Sequence, residues 1–213
     1  MSSGSTRKPL LALLVLLIAI GVAVYWSGRK STKQLEVLAR SAAAQGDHEA
    51  VEDYALRILD REPDSKLALL LAGQAVAAQG RPQDALSYLG RIDDDDTAEA
   101  VAARCAAGDV LLLDLERFAE AEAEYLRAIS QNQHHAVANE RLAYLAGISS
   151  RYWDSIPYQL ELIRQDQITP TQLDLLCHGD SVVVNRELIP EYHRRRPDDV
   201  LVQLGMARIL IEN

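Results

Sequence analysis

The sequence predicts an all-α protein: an apolar N-terminal transmembrane helix followed by antiparallel helix pairs stacked as an α-solenoid. Three observations predict it. Alanine and leucine dominate an apolar content of 48%, while aromatic residues make up only 5%, with Phe118 the single phenylalanine. That mixture suits helices better than sheets, which favour Val, Ile, Thr and aromatic side chains. Residues 9–26 carry no charge at all, and beyond them a helix–turn–helix pattern returns every 34 to 36 residues.

The chain opens with a basic tail, residues 1–8, containing Arg7 and Lys8. Pro9 to Trp26, PLLALLVLLIAIGVAVYW, follows as the transmembrane anchor. As a helix it would extend about 27 Å, close to the thickness of bilayer hydrocarbon. Tyr25 and Trp26 suit the membrane interface, and Arg29, Lys30 and Lys33 close a juxtamembrane linker, residues 27–33. A cleaved signal peptide, which would release a soluble secreted chain, would need a shorter apolar core and small residues at its cleavage site. Here the run ends in the bulky Val24-Tyr25-Trp26. Basic residues on both sides nearly balance the positive-inside count. The shortness of the tail favours placing residues 34–213 outside the cytoplasm, in a periplasm or its equivalent.

Charge then changes sign. Residues 1–33 hold five basic residues and no acid, leaving 17 basic against 31 acidic over residues 34–213, a net of −14. Such a surface argues against nucleic acid as a partner. Arginine outnumbers lysine 18 to 4, the bias of a GC-rich bacterial coding sequence.

The repeat runs through residues 34–167. Gly46 sits in AAAQGDHEAV and Gly80 in AVAAQGRPQDAL, 34 residues apart. The pattern returns near Glu116 as DLERFAEAEAEYLRAI, 36 residues on, and at Ser150 as ISSRYWDSIPYQLELI, after 34 more. Each unit reads as two amphipathic helices of about a dozen residues around a short turn. Neither helix of a pair can bury its apolar stripe alone, so stacking on neighbouring pairs is required.

In these residues the chain resembles the tetratricopeptide repeat family in its membrane-anchored bacterial form. The family's small first-helix position falls on Ala39, Gly73, Gly108 and Ala143, and its small second-helix position on Val51, Ala85, Ala121 and Ser155. The larger residues that follow are Leu89, Tyr125 and Gln159, then Ile58, Ile92, Ala128 and Leu162, and Pro63 ends the first unit. Small residues at such points let helix axes approach to about 8 Å. The chain departs from the family in three ways. Leu35, Leu69, Ala42 and Val76 stand where it has bulky aromatics. About two residues are inserted around Asp114–Glu116, and Pro157 predicts a kink or a late start in the last second helix.

Residues 168–213 read as a degenerate helical repeat. Thr169 and Pro170 open a helix TQLDLLCH that Gly179 ends, and a second helix runs from Glu187 to Arg196. Its closing arginines, Arg194, Arg195 and Arg196, suit the helix dipole. The final segment VLVQLGMARILIEN is apolar nearly all round, whereas a solenoid's last helix normally turns a polar face outward. This predicts either the N-terminal piece of a longer array or a helix that docks on a partner.

Candidate chemistry is sparse. Cys177-His178-Gly179-Asp180 groups reactive side chains, but neighbours in one helix do not face each other. His134-His135 lacks further ligands at usable spacing. Asp93 to Asp96 fails the calcium-loop pattern, with Ala98 at the sixth position and Arg104 at the twelfth, and reads as a solvated acidic turn. Cys105 and Cys177 lie two repeats apart, roughly 20 Å, too far for a disulfide. No phosphate loop or nucleophile motif appears, so the expectation is a protein without enzymatic activity, cofactor, metal or small-molecule substrate.

What remains is the groove that the resemblance implies along the first helices, which in the family takes extended peptides or partner helices. Its positions are Lys33, Glu36 and Arg40, then Leu70 and Gln74, then Asp109, and finally Glu140, Arg141 and Tyr144. A carboxylate clamp would need clustered Lys, Arg and Asn, and only Arg40 and Arg141 qualify. The expectation is therefore a mixed-charge groove anchored by Tyr144. The sequence thus predicts a single-pass, membrane-anchored interaction scaffold, and the resemblance to membrane-anchored bacterial members of the family implies envelope assembly or protein translocation as its setting. The alternative is the anchor and spacer of a longer protein whose C-terminal part is enzymatic or ligand-binding.

Overall fold

The computed structural model describes residues 31–168 and 182–211. The anchor expected at residues 9–26, its basic tail, the helix TQLDLLCH and Cys177 to Asp180 lie outside the described residues. Within them, no helix is long and apolar enough to cross a membrane.

Ten α-helices and no strand occur among the described residues. The first pair is α1 (Thr32–Gln45) and α2 (His48–Leu59), followed by α3 (Lys66–Ala78) and α4 (Pro82–Leu89). Then come α5 (Ala98–Asp109) with α6 (Phe118–Gln131), and α7 (Ala136–Ile148) with α8 (Tyr152–Arg164). The last are α9 (Val182–Arg195) and α10 (Val200–Ile211). Within each pair the two helices pack together. Between pairs, α2 packs on α3, α3 on α5, α6 on α7 and α8 on α9.

Local chemistry sets the ends. Ser31 and Gln34 form a reciprocal capping box at α1, while Asp47 and Thr97 accept backbone N–H bonds at the starts of α2 and α5. Pro82 occupies the first position of α4, where its missing N–H costs nothing.

The tight turns show the repeat directly. Gly46, Gly80, Glu116 and Ser150, the four residues aligned by period, all have positive φ, at 72°, 75°, 54° and 56°. In three of them the next N–H closes a six-to-one bond: Asp47 to Ala42 O, Arg81 to Val76 O and Arg151 to Ala146 O. In the third pair Arg117 N–H reaches one residue further, to Leu111 O, because a π-helical turn (Val110–Asp114) follows α5. The expected two-residue insertion is thus divided. One residue widens this turn, a common way to absorb an insertion without breaking a helix. The other falls between Gly80 and Gly108.

The small positions hold the pairs together. Ala39, Ala85 and Ala121 are fully buried, Gly73 lies against Leu89, and Gly108 against Tyr125. Ala143, at the fourth such position, is only half-buried. Pro157 causes no late start, since α8 begins at Tyr152 and carries the proline in its second turn. The helix expected at Glu187 begins at Val182 and contains Pro190. In α10, Val202 and Gly205 are buried, whereas Val200, Leu204, Leu210 and Ile211 are exposed.

Candidate functional site: a groove across the first helices

The first helices α3, α5 and α7 border an open groove of about 450 Å³. Its floor is made of the half-buried small side chains Ala77, Ala102 and Ala106, and its rim carries the exposed Ala78, Leu113 and Val137. Alanine at these positions follows from the close approach of first helices, which leaves no room for larger residues on the shared face. Gln74 and Asp109 contribute polar groups, and Asp114 stands at the end of the π-turn.

Asp109 is the electrostatic centre. Its Oδ1 accepts from Tyr125 Oη and from Arg141 Nε, each at 2.8 Å. Arg141 thereby ties α7 to α5, and burial together with Asp109 pushes the Tyr125 phenol well above its usual range. Cys105, a buried free thiol, is pushed up to about 12 by burial and by Asp109. Its sulfur lies 3.4 Å from His135 Nδ1. The Ala138 N–H also donates to that nitrogen, which places the ring proton on Nε2 and leaves the thiol as a donor. Burial lowers the His135 pKa, so this ring is a neutral part of the wall. His134 points elsewhere, its Nδ1 at 2.6 Å from Glu161 Oε1.

Of the residues expected along the groove, Gln74 and Asp109 line it, and Arg141 is bound to Asp109. Glu140 acts on Arg141 through its charge, and Tyr144 is half-exposed one turn further along α7. Arg40 and Lys33 are exposed and Glu36 is half-buried on α1, all three outside the residues that line the groove. Leu70 is a correction: it is buried in the core, because α3 is covered on several sides at once. The lining itself holds two carboxylates and no Lys or Arg, and Arg141 reaches it through its bond to Asp109. Cys105, His135 and the alanine floor were not anticipated. Spacing could have suggested Ala102 and Ala106, which fall two turns and one turn, respectively, before Asp109 on α5.

The acidic turn is also more than a solvated loop. Arg104, buried in α5, pairs with Asp94 at 3.0 Å and Glu124 at 3.2 Å and donates to the carbonyls of Leu89 and Ile92. Asp95 pairs with Lys66. Arg104 stands four residues before Gly108, where Leu35 and Leu69 stand before Ala39 and Gly73. The register therefore marked it as buried, and a buried guanidinium demands such partners. No cluster of three or more metal-ligating side chains occurs among the described residues.

This stack of helix pairs, with its small-residue contacts and left-handed turns, defines a helical-repeat protein of tetratricopeptide-like fold. Among solved structures the chain is similar to PilW, described as a widely conserved type IV pilus biogenesis factor. The likeness has a TM-score of 0.62 and covers 97% of this chain and 100% of that one at 18% identity, so it is a likeness of fold. No protein-family model matches the sequence, and no curated protein matches it.

Proposed function

We propose that the chain is a non-catalytic protein-interaction scaffold, held at the membrane by residues 9–26, that engages an extended peptide or helix along the α3–α5–α7 groove. One observation carries this reading. Val137, Tyr144 and Ile148 form an exposed apolar stripe on α7, beside exposed Leu113 and the alanine floor. Side chains so placed gain by being covered, and aromatic residues are frequent anchors at interfaces. Anchoring would raise the local concentration of partners without any new contact. The similarity to a pilus biogenesis factor supports a setting in envelope complex assembly, and the candidate contacts along the groove are Gln74, Asp109, Glu140, Arg141 and Tyr144, Arg40 lying apart on α1.

The test is site-specific photo-crosslinking of the full chain in native membranes, with the probe at Tyr144 or at Glu49, which is exposed on α2. A discrete protein adduct from Tyr144 and none from Glu49 is expected. Equal adducts from both, or none from either, overturns the proposal. Retention of the chain in membranes after alkaline carbonate extraction tests the anchor. A second reading, the anchor and spacer of a longer protein, is favoured by the exposed apolar face of α10, which a further stacked helix would cover.

A further inference from the structure

We infer that the groove is selective for a cationic, apolar peptide segment, one that sets a small aliphatic side chain on the alanine floor and a lysine, arginine or free α-amine against Asp114. The inference rests on the groove being the binding site. It comes from how charge is distributed in the lining.

Two ionised groups line the groove, Asp109 and Asp114. Asp109 is already compensated, because Tyr125 and Arg141 both donate to its Oδ1. Asp114 is exposed at the rim, and no cation pairs with it among the described residues. His135 is held neutral by burial and supplies no counter-charge. An occupant covering Leu113 and Val137 would strip water from the Asp114 carboxylate, an unfavourable step unless a positive group replaces that water. An acidic segment would meet repulsion from Asp114 and from the net charge of −14 over residues 34–213. The volume of about 450 Å³ falls in the range of ligand clefts and accommodates a few side chains rather than a folded domain.

The experiment uses the full chain in detergent micelles and three fluorescein-labelled nonapeptides, each three repeats of Ala-Leu-X with X as Lys, Gln or Glu, read by anisotropy. The Lys peptide is expected to bind about tenfold more tightly than the Glu peptide, and Asp114→Asn to weaken it about fivefold while leaving the Gln peptide unchanged. Asp64→Asn makes the same charge change in the turn between α2 and α3 and should alter nothing. Ala106→Trp should abolish binding of the Lys and Gln peptides by filling the floor, and Leu113→Ser, at an exposed site, should weaken both. Equal affinity for the Lys and Gln peptides, or an Asp64→Asn effect as large as that of Asp114→Asn, overturns the charge selectivity while the groove stands. No binding of any peptide, or binding indifferent to both Ala106→Trp and Leu113→Ser, overturns the groove itself and the selectivity with it.

Discussion

The Tyr125 ring lies against Gly108 so closely that a methyl group on the glycine would stand 2.6 Å from Cε1 and 2.7 Å from Cζ. The ring has nowhere to go. It is fully buried, and its hydroxyl is fixed on Asp109, which in turn holds Arg141 of α7. One contact between a glycine and a tyrosine therefore connects the packing of α5 on α6 with the polar wall of the groove.

Gly108→Ala should destabilise the protein by about 1–2 kcal/mol, the cost of overpacking minus the better helix propensity of alanine. Gly73→Ala should act in the same direction, because its methyl would meet Leu89 Cγ at 2.7 Å. Gly147→Ala is the control. Nothing lies within 4 Å of the added carbon, so stability should rise by up to about 1 kcal/mol. Urea unfolding of the three variants gives the comparison, and a stabilised Gly108→Ala would contradict the packing described.

The left-handed turns make a second comparison. Glu116 and Ser150 hold positive φ with a side chain, where Gly46 and Gly80 do so without one. Glu116→Gly and Ser150→Gly should each be neutral or stabilising by up to about 1 kcal/mol, while Gly46→Ala and Gly80→Ala should each lose about 1 kcal/mol. Thermal denaturation in one buffer would resolve the opposite signs.

Arg104 should be among the least replaceable polar residues. Arg104→Ala would leave the carbonyl of Ile92 without its donor, Glu124 with Arg127 alone and the Leu89 carbonyl with only the Ile92 N–H, a loss of roughly 3 kcal/mol. Arg104→Lys should recover less than half of it, because an ammonium cannot reach partners spread around a planar fork. Chemical denaturation of both variants tests the order.

The Lys66–Asp95 pair predicts an acid-sensitive contact. Hydrogen bonds from Lys66 and Thr97 hold the Asp95 carboxyl down at about 2, below its ordinary 3.8. A depressed carboxylate stabilises the fold above the unfolded value, and the contribution disappears as pH falls from about 4 through about 2. Lys66→Met should raise the Asp95 midpoint, followed by carboxyl NMR, and flatten the acid side of the melting-temperature profile in that window. The pair is solvent-accessible, so the change in stability should be small.

Much of the fold was legible in the sequence because repetition amplifies weak signals. One Ala-Gln-Gly turn says little, but turn residues returning at Gly46, Gly80, Glu116 and Ser150 mark a backbone conformation, which is a local property. The small and large positions were legible for the same reason, since Gly73 with Leu89 and Gly108 with Tyr125 follow from register. Of the two outcomes expected of Pro157, the late start did not occur, since α8 begins at Tyr152 and carries the proline in its second turn.

The sequence by itself determined the helical class, the period, the turn positions and the pairs of small and large residues that set helix spacing. All of these depend on residues close along the chain or on a fixed repeat of them. The tertiary structure alone decided that Arg141 would be spent on Asp109, that Arg104 would gather the acidic turn, and that Asp114 would be left facing an alanine-floored groove. Those outcomes depend on which charges meet across 10 to 32 residues of intervening chain. Pairing in three dimensions is a competition among partners, and no periodic pattern records which partner wins.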